Sequence, residues 1–223
     1  VAGAWTANEN SRIDLSKEAE EIGADILSVI VPYFAAASQD ELYEHYKNVA
    51  ESVNLPVVLY NIPARTGNAL APATVARLAK DVENIMGAKD SSGNFDNMKQ
   101  YIELTQDIGK DFSVLSGNDS LILPALMFGG KGGIAGCANV FPHTMVEIYE
   151  AFKAGDIERA KKVQDSIRIF RNCFKYGNPN TLVKIAAGLL GDPVGPCRRP
   201  FNKITPEGME ALKKTLEQCK ANG

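Results

Sequence analysis

The stretch Pro56-Val57-Val58-Leu59-Tyr60, followed by an amphipathic segment over 72–80 and then by Ile85-Met86-Gly87-Ala88, reads as one strand-helix-strand unit. A short β-branched run alternates with a longer amphipathic one, the pattern of a parallel sheet whose crossovers are helices. Pro56 fits because the first residue of a strand forfeits no ladder hydrogen bond. The alternation continues in both directions. Strands are expected over 1–5, 26–31, 57–60, 85–88, 112–116 and 133–136, and helices over 15–22, 39–53, 72–80, 95–107, 120–128 and 142–154. Ser38 before Gln39-Asp40-Glu41 has the spacing of a capping box, and Asn94 and Asp119 stand where a first helical turn needs a side-chain acceptor.

After the last strand the rhythm changes. Segments 157–174, 181–190 and 206–220 read as helices with no strand between them, separated by Gly155-Asp156 and Gly191-Asp192-Pro193. The expected organisation is a (β/α) body over 1–155 and a helical extension over 156–223.

With 45% hydrophobic and 23% charged residues, the 223-residue chain can bury one sizeable core. Its net charge of −3 arises from 24 basic and 27 acidic residues without a charge block, which argues against nucleic acid or anionic lipid as a partner. No apolar run approaches the roughly 20 residues of a membrane span, and Val1-Ala2-Gly3-Ala4-Trp5 lacks the features of a signal peptide. A cytoplasmic protein is expected. Cys137, Cys173, Cys197 and Cys219 form no C-x-x-C pair, and His45 and His143 are the only imidazoles, so free thiols are expected and a zinc site is not.

About six strands sit awkwardly with a closed (β/α) barrel, which takes eight strands and about 250 residues. Either the sheet is open or further units precede Val1. A doubly wound sheet would fit the count but usually carries a glycine-rich phosphate loop, and none is present. In either architecture functional residues gather at the carboxyl ends of the strands. Those ends offer Pro32-Tyr33-Phe34, Tyr60 to Gly67, Lys89 to Gly93, Gly117-Asn118-Asp119 and Cys137-Ala138-Asn139.

Lys89 extends one step beyond an apolar strand. Desolvation there disfavours an ammonium and makes its amine a nucleophile towards carbonyls, although position alone allows equally a lysine snorkelling to water. Tyr60 ends the preceding strand, where a phenol can shuttle protons or simply fill space with its hydroxyl satisfied. Arg65 lies in a loop stiffened by Pro63 and turned by Gly67, suited to a bidentate grip on a carboxylate; a surface arginine is the other reading. Asp90 faces away from Lys89 and reads as structural. His143 reads as surface, and the Gly129-Gly130 and Gly132-Gly133 pairs as tight turns.

Taken together, Tyr60-Asn61-Ile62-Pro63-Ala64-Arg65-Thr66-Gly67 and Gly87-Ala88-Lys89-Asp90-Ser91-Ser92-Gly93 resemble the dihydrodipicolinate synthase and N-acetylneuraminate lyase family. The resemblance continues through Ser116-Gly117-Asn118-Asp119, Gly132-Gly133-Ile134 and Pro193-Val194-Gly195-Pro196. It implies a TIM-type (β/α) barrel with a three-helix C-terminal tail. It implies also a homo-oligomer, a dimer or more usually a tetramer, acting on pyruvate and an aldehyde with no cofactor or metal beyond a covalent Schiff base. Carried over by position, it makes Lys89 the Schiff-base lysine and Tyr60 the proton-relaying phenol. Arg65 becomes the arginine that meets the aldehyde's carboxylate, and Ile134 the residue whose carbonyl faces pyruvate. Asn118 and Ser91 are further substrate-side candidates.

Against that family Val1 aligns near the third strand, so the first two βα units, with their Thr-Thr-Gly pyruvate-carboxylate segment, are expected to be absent. Phe34 occupies the position of a tyrosine lent to the neighbouring subunit. Trp5-Thr6-Ala7-Asn8 replaces a segment that helps bind feedback lysine. Ser120 and Gly136 depart from the sialic acid lyases, and Arg65 favours a small aldehyde, whereas Ser91 resembles the sugar-acid aldolases. The expected activity is that of a class I aldolase or lyase resembling 4-hydroxy-tetrahydrodipicolinate synthase. The alternatives are a 2-keto-3-deoxy sugar acid aldolase and a catalytically impaired barrel serving as an assembly subunit.

Overall fold

A computed structural model of the chain describes residues 1–4, 8–201 and 203–221. Two compact units make it up, Val1–Ile134 and Ala135–Gly223. The first carries six parallel strands, β1 (Ala2–Ala4), β2 (Leu27–Ile30), β3 (Val57–Asn61), β4 (Ile85–Asp90), β5 (Ser113–Ser116) and β6 (Gly132–Gly133), paired strictly in chain order. A doubly wound sheet reverses its order at a switch point. Among the described residues there is no reversal, and the helices α1 (Glu9–Glu21), α2 (Gln39–Glu51), α4 (Pro72–Asp81), α5 (Phe95–Thr105) and α6 (Ile122–Met127) pack each on the next in the same sequence. The fold is α/β, with the singly wound wall of a TIM-type barrel.

Burial alternates along the strands with the period of two that the pleat imposes. Leu27, Val29, Leu59, Ala88 and Val114 face the helices and are buried with Tyr46, Val49, Leu78, Met98 and Tyr101 in one core. Truncating Leu27 or Leu59 to alanine should cost about 2–5 kcal/mol. Ile30, Tyr60, Lys89 and Leu115 lie on the other face and are only partly covered. Between β3 and β4 the register slips at Val57/Val58, so Val57 pairs with Ile85 and Val58 with Gly87. This irregularity sets which face each later β4 residue takes, Lys89 included.

Several boundaries differ from the sequence reading for local reasons. Helix α1 starts at Glu9 rather than at 15, because Asn8 caps it by accepting from the Ser11 amide at 2.9 Å, and its buried face is built from Arg12, Ser16 and Ala19 rather than from an apolar stripe. Trp5, in the expected first strand, lies outside the described residues. At α2 the Ser38–Glu41 capping box is present. Asn94 caps α5 as expected, but the cap expected at Asp119 is Asn118, and Asp119, itself buried, opens a 3-10 turn, Asp119–Leu121. The last strand is Gly132–Gly133 rather than 133–136, and Gly136, expected at its end, instead opens a 3-10 turn, Gly136–Asn139.

The second unit is helical. Helices α7 (Pro142–Lys153), α8 (Ile157–Arg171), α9 (Pro179–Leu189) and α10 (Pro206–Ala221) pack on one another, with a 3-10 turn, Asn172–Tyr176, ending the segment expected to be one long helix. Phe141, Phe170 and Phe174 stack edge to face with centroids 5.3 and 5.5 Å apart. Gly155 and the Asp156 cap supply the expected break before α8.

Arg12 and His45 make a buried polar knot between α1 and α2. Arg12 donates from Nη1 to the Ile30 carbonyl, and the His45 Nδ1 lies 3.2 Å from Glu9 Oε2. Burial first, and the Arg12 charge second, lower the His45 pKa from 6.5 to about 4, against the opposing pull of Glu9. Between those values the unfolded chain binds a proton that the folded chain refuses, so the contribution of His45 to stability is fully present above pH 6.5 and is lost as the pH falls towards 4, by about 3 kcal/mol. Urea unfolding of the wild type and of His45→Gln from pH 7 to 4 should show this loss flattened in the variant. Parallel curves would remove His45 as its source.

Candidate active site

Parallel pairing sets Tyr60 of β3 directly opposite Lys89 of β4, and Lys89 opposite Leu115 of β5. Paired residues share a face, so the phenol and the amine emerge together on the side away from the helices. Lys89 Nζ stands 3.9 Å from the centroid of the Tyr60 ring. Both side chains are half-buried. Lys89 was expected one step past the end of its strand; it lies within β4, because main-chain pairing continues through Asp90, whose carbonyl accepts from the Gly117 amide at 2.7 Å.

Ser91 follows immediately, its amide bonded to the Asn61 carbonyl at 2.8 Å. Its hydroxyl and the Lys89 stem lie against Gly117: a Cβ at that position would come 1.8 Å from Ser91 Oγ and 2.9 Å from Lys89 Cε. Gly117 is therefore part of the site, a role that its place in a strand-end turn motif did not disclose. Asn118 caps the next turn by accepting from the Ser120 amide at 3.1 Å. Its Nδ2 lies 3.6 Å from where a Gly93 Cβ would stand, so the 91–94 and 117–119 loops adjoin. Ile134 is one residue past β6 and donates its amide to the Ser116 carbonyl at 2.9 Å, with its side chain 39% exposed.

The loop after β3 is more ordered than the sequence suggests. Pro63–Thr66 forms a single helical turn, α3, closed by Gly67 in the left-handed conformation at φ 79°. Arg65 is exposed on this turn and makes no ion pair among the described residues. The loop is tied down beyond this turn at Leu70, whose amide donates to Asn61 Oδ1 at 3.0 Å and whose carbonyl accepts from the Tyr101 hydroxyl at 2.6 Å. Asn68 is buried and clamps the neighbouring loop, accepting from the Ala37 amide and donating to the Pro32 and Ala35 carbonyls. Between those two carbonyls Phe34 is forced to φ 85° and stands 99% exposed. For a bulky residue that backbone conformation is an outlier, which persists only where surrounding bonds over-determine it.

Asp90 is buried on the helix side, accepting from Asn61 Nδ2 at 2.8 Å and from the Ser92 hydroxyl at 2.7 Å, in keeping with its structural reading. His143 is exposed at the start of α7. Among the described residues no group of three or more His, Cys, Asp or Glu side chains could hold a metal ion.

An amine and a phenol in register at the carboxyl ends of adjacent strands of a singly wound sheet define a narrow class of sites. Residues 1–219 match the sequence profile of the Dihydrodipicolinate synthetase family. The chain belongs to this family. Its members named as 4-hydroxy-tetrahydrodipicolinate synthases include the Methanopyrus kandleri protein, 41% identical over 219 residues, covering 98% of this chain and 72% of the relative. The Acetivibrio thermocellus protein is 39% identical over 218 residues, covering 97% and 72%. The dihydrodipicolinate synthase crystal structure from Thermotoga maritima superposes with a TM-score of 0.93 at 32% identity, over 98% of this chain and 74% of that one. A prophage protein of the dihydrodipicolinic acid synthase family from E. coli K12, in complex with pyruvate, superposes equally well, at TM-score 0.93 and 32% identity, over 98% and 74%. As a dihydrodipicolinate synthetase family member, the chain is a lyase of the class I aldolase type acting on small molecules. Among the described residues no helix is long and apolar enough to cross a membrane.

Proposed function

We propose that this protein condenses pyruvate with an aldehyde through a Schiff base on Lys89, in the manner of the 4-hydroxy-tetrahydrodipicolinate synthases. The observation that carries the reading is the placement of Lys89 Nζ 3.9 Å from the Tyr60 ring on one sheet face. The Lys89 amine attacks C2 of pyruvate, and the carbinolamine loses water to give an iminium. Loss of a C3 proton yields an enamine, which adds to the aldehyde before water releases the product. In this reading Tyr60, whose ring lies beside the amine, carries the protons of these steps. Arg65, exposed on α3 and without an ion pair among the described residues, is available for a carboxylate on the incoming aldehyde, which favours aspartate semialdehyde. Ser91, Asn118 and Ile134 border the same strand ends. The covalent adduct supplies the electron sink, so the reaction draws on no cofactor.

A second substrate is favoured by one feature. The Ser91 hydroxyl beside the Lys89 stem is a polar group suited to a hydroxylated substrate such as a 2-keto-3-deoxy sugar acid. For assembly, the fully exposed Phe34 and the half-exposed Met127 and Phe128 are apolar surfaces that an oligomer of this chain would cover.

The test is reduction with borohydride in the presence of pyruvate, followed by peptide mass spectrometry. The expected result is a pyruvyl adduct on Lys89; an adduct elsewhere, or none, overturns the assignment. Turnover with aspartate semialdehyde compared with cleavage of a 2-keto-3-deoxy sugar acid then separates the two substrates.

A further inference from the structure

Asn61 and Asp90 occupy the register position immediately after Tyr60 and Lys89, on the opposite face of the sheet. Their side chains meet across the two strands, Asn61 Nδ2 donating to Asp90 Oδ1 at 2.8 Å, and both are nearly fully buried. The amide is used at both ends: its Oδ1 accepts from the Leu70 amide at 3.0 Å, which closes the loop that displays Arg65 back onto β3. The carboxylate also works through both oxygens. Oδ1 accepts from the Ser92 amide at 3.2 Å and Oδ2 from the Ser92 hydroxyl at 2.7 Å, and the Ser92 oxygen accepts in turn from the Asn94 amide at 3.0 Å, at the head of α5. Every one of these partners belongs to β3, β4 or the loops leaving them.

We infer that the Asn61–Asp90 pair is the positioning device of the site, locking the Tyr60–Lys89 register from behind and fixing the Arg65 and Ser91 loops to the same point. The inference rests on the Lys89 Schiff-base reading and extends it to residues that touch no substrate. Its physical basis is the steepness of orientation effects: an ångström of misplacement of a reacting group costs about a hundredfold in rate. A buried acceptor carboxylate with neutral donors tolerates little change, because losing one donor leaves a charged oxygen unsatisfied.

Asn61→Asp sets two carboxylates against each other where a 2.8 Å hydrogen bond now stands. Adding Asp90→Asn restores a donor and an acceptor in exchanged places. Asn61→Asp should slow both turnover and the borohydride-trapped accumulation of the Lys89 adduct about a hundredfold, with KM for pyruvate moving much less. The exchanged pair should recover at least about tenfold of the loss, a coupling of the kind a double-mutant cycle isolates. Should Asn61→Asp not fold, Ser92→Ala removes a single donor from Asp90 and should lower kcat about three- to tenfold at unchanged KM. Wild-type protein that traps pyruvate on Lys89, alongside folded variants that trap and turn over at wild-type rates, would overturn the positioning role and leave the Lys89 reading standing. Wild-type protein that traps none overturns the Lys89 reading itself.

Discussion

Replacing Lys89 with methionine should abolish turnover, by about a thousandfold or more, while the protein remains folded. The loss is large because a nucleophile acts as a unit with its proton relay, and residual catalysis rests on binding and orientation alone. The fold should survive because Lys89 lies on the partly covered face of β4, away from the core formed by Leu59, Ala88 and Val114 with the helices, and because methionine matches the aliphatic stem. The 3.9 Å cation–π contact with Tyr60 is worth on the order of 0.5–1 kcal/mol at a site of this exposure, so thermal stability should change little. The measurement is steady-state turnover of pyruvate and aspartate semialdehyde, with circular dichroism to establish folding. A folded Lys89→Met protein retaining a tenth of wild-type activity would exclude the amine as nucleophile. Tyr60→Phe keeps the ring under Nζ and removes only the hydroxyl, so it separates proton relay from packing.

What the sequence discloses about this molecule depends on how local each signal is. The βα alternation around 57–88 is local: β-branched runs and amphipathic segments carry their periods in the residues themselves, so strands β2 to β5 were legible to within a residue or two at most ends. Capping chemistry is equally local, as at Ser38 and Asn94. Helix α1 begins before any apolar period is visible, because its buried face contains Arg12, which donates to a tertiary partner, the Ile30 carbonyl, that no window of sequence contains, and Ser16, whose hydroxyl turns back to the Arg12 carbonyl. The site divides in the same way. Lys89 and Tyr60 could be placed at strand ends from their own neighbours, but their facing each other depends on a register slip between β3 and β4. The clamp formed by Asn68 between two loops joins residues more than thirty apart and left no trace in either segment. Strand alternation puts Asp90 on the face opposite Lys89, as the sheet has it, whereas its partnership with Asn61 depends on the pairing of β3 with β4.

Gly117→Ala should lower activity by about a hundredfold with only a modest loss of stability, which sets it apart from substitutions that act through unfolding. An alanine Cβ would stand 1.8 Å from Ser91 Oγ, 3.0 Å from Ser91 Cβ and 2.9 Å from Lys89 Cε. The first contact can be relieved by rotating a serine, but the third cannot be relieved without moving the lysine stem. Gly117 does not have a left-handed backbone, so alanine meets no conformational objection there and the effect is steric. Inserting a methyl group into a packed region costs about 1–3 kcal/mol, small beside the total stability of a domain, while a displacement of the amine by an ångström falls on the rate at about a hundredfold. The double variant Ser91→Ala/Gly117→Ala distinguishes the two collisions. If Lys89 is the offended group, removing the serine hydroxyl restores little; recovery to near the rate of Ser91→Ala alone would assign the damage to Ser91. A Gly117→Ala protein within threefold of wild type would mean that the lysine reaches its working position by another path, and that Gly117 is a turn residue without a part in the site.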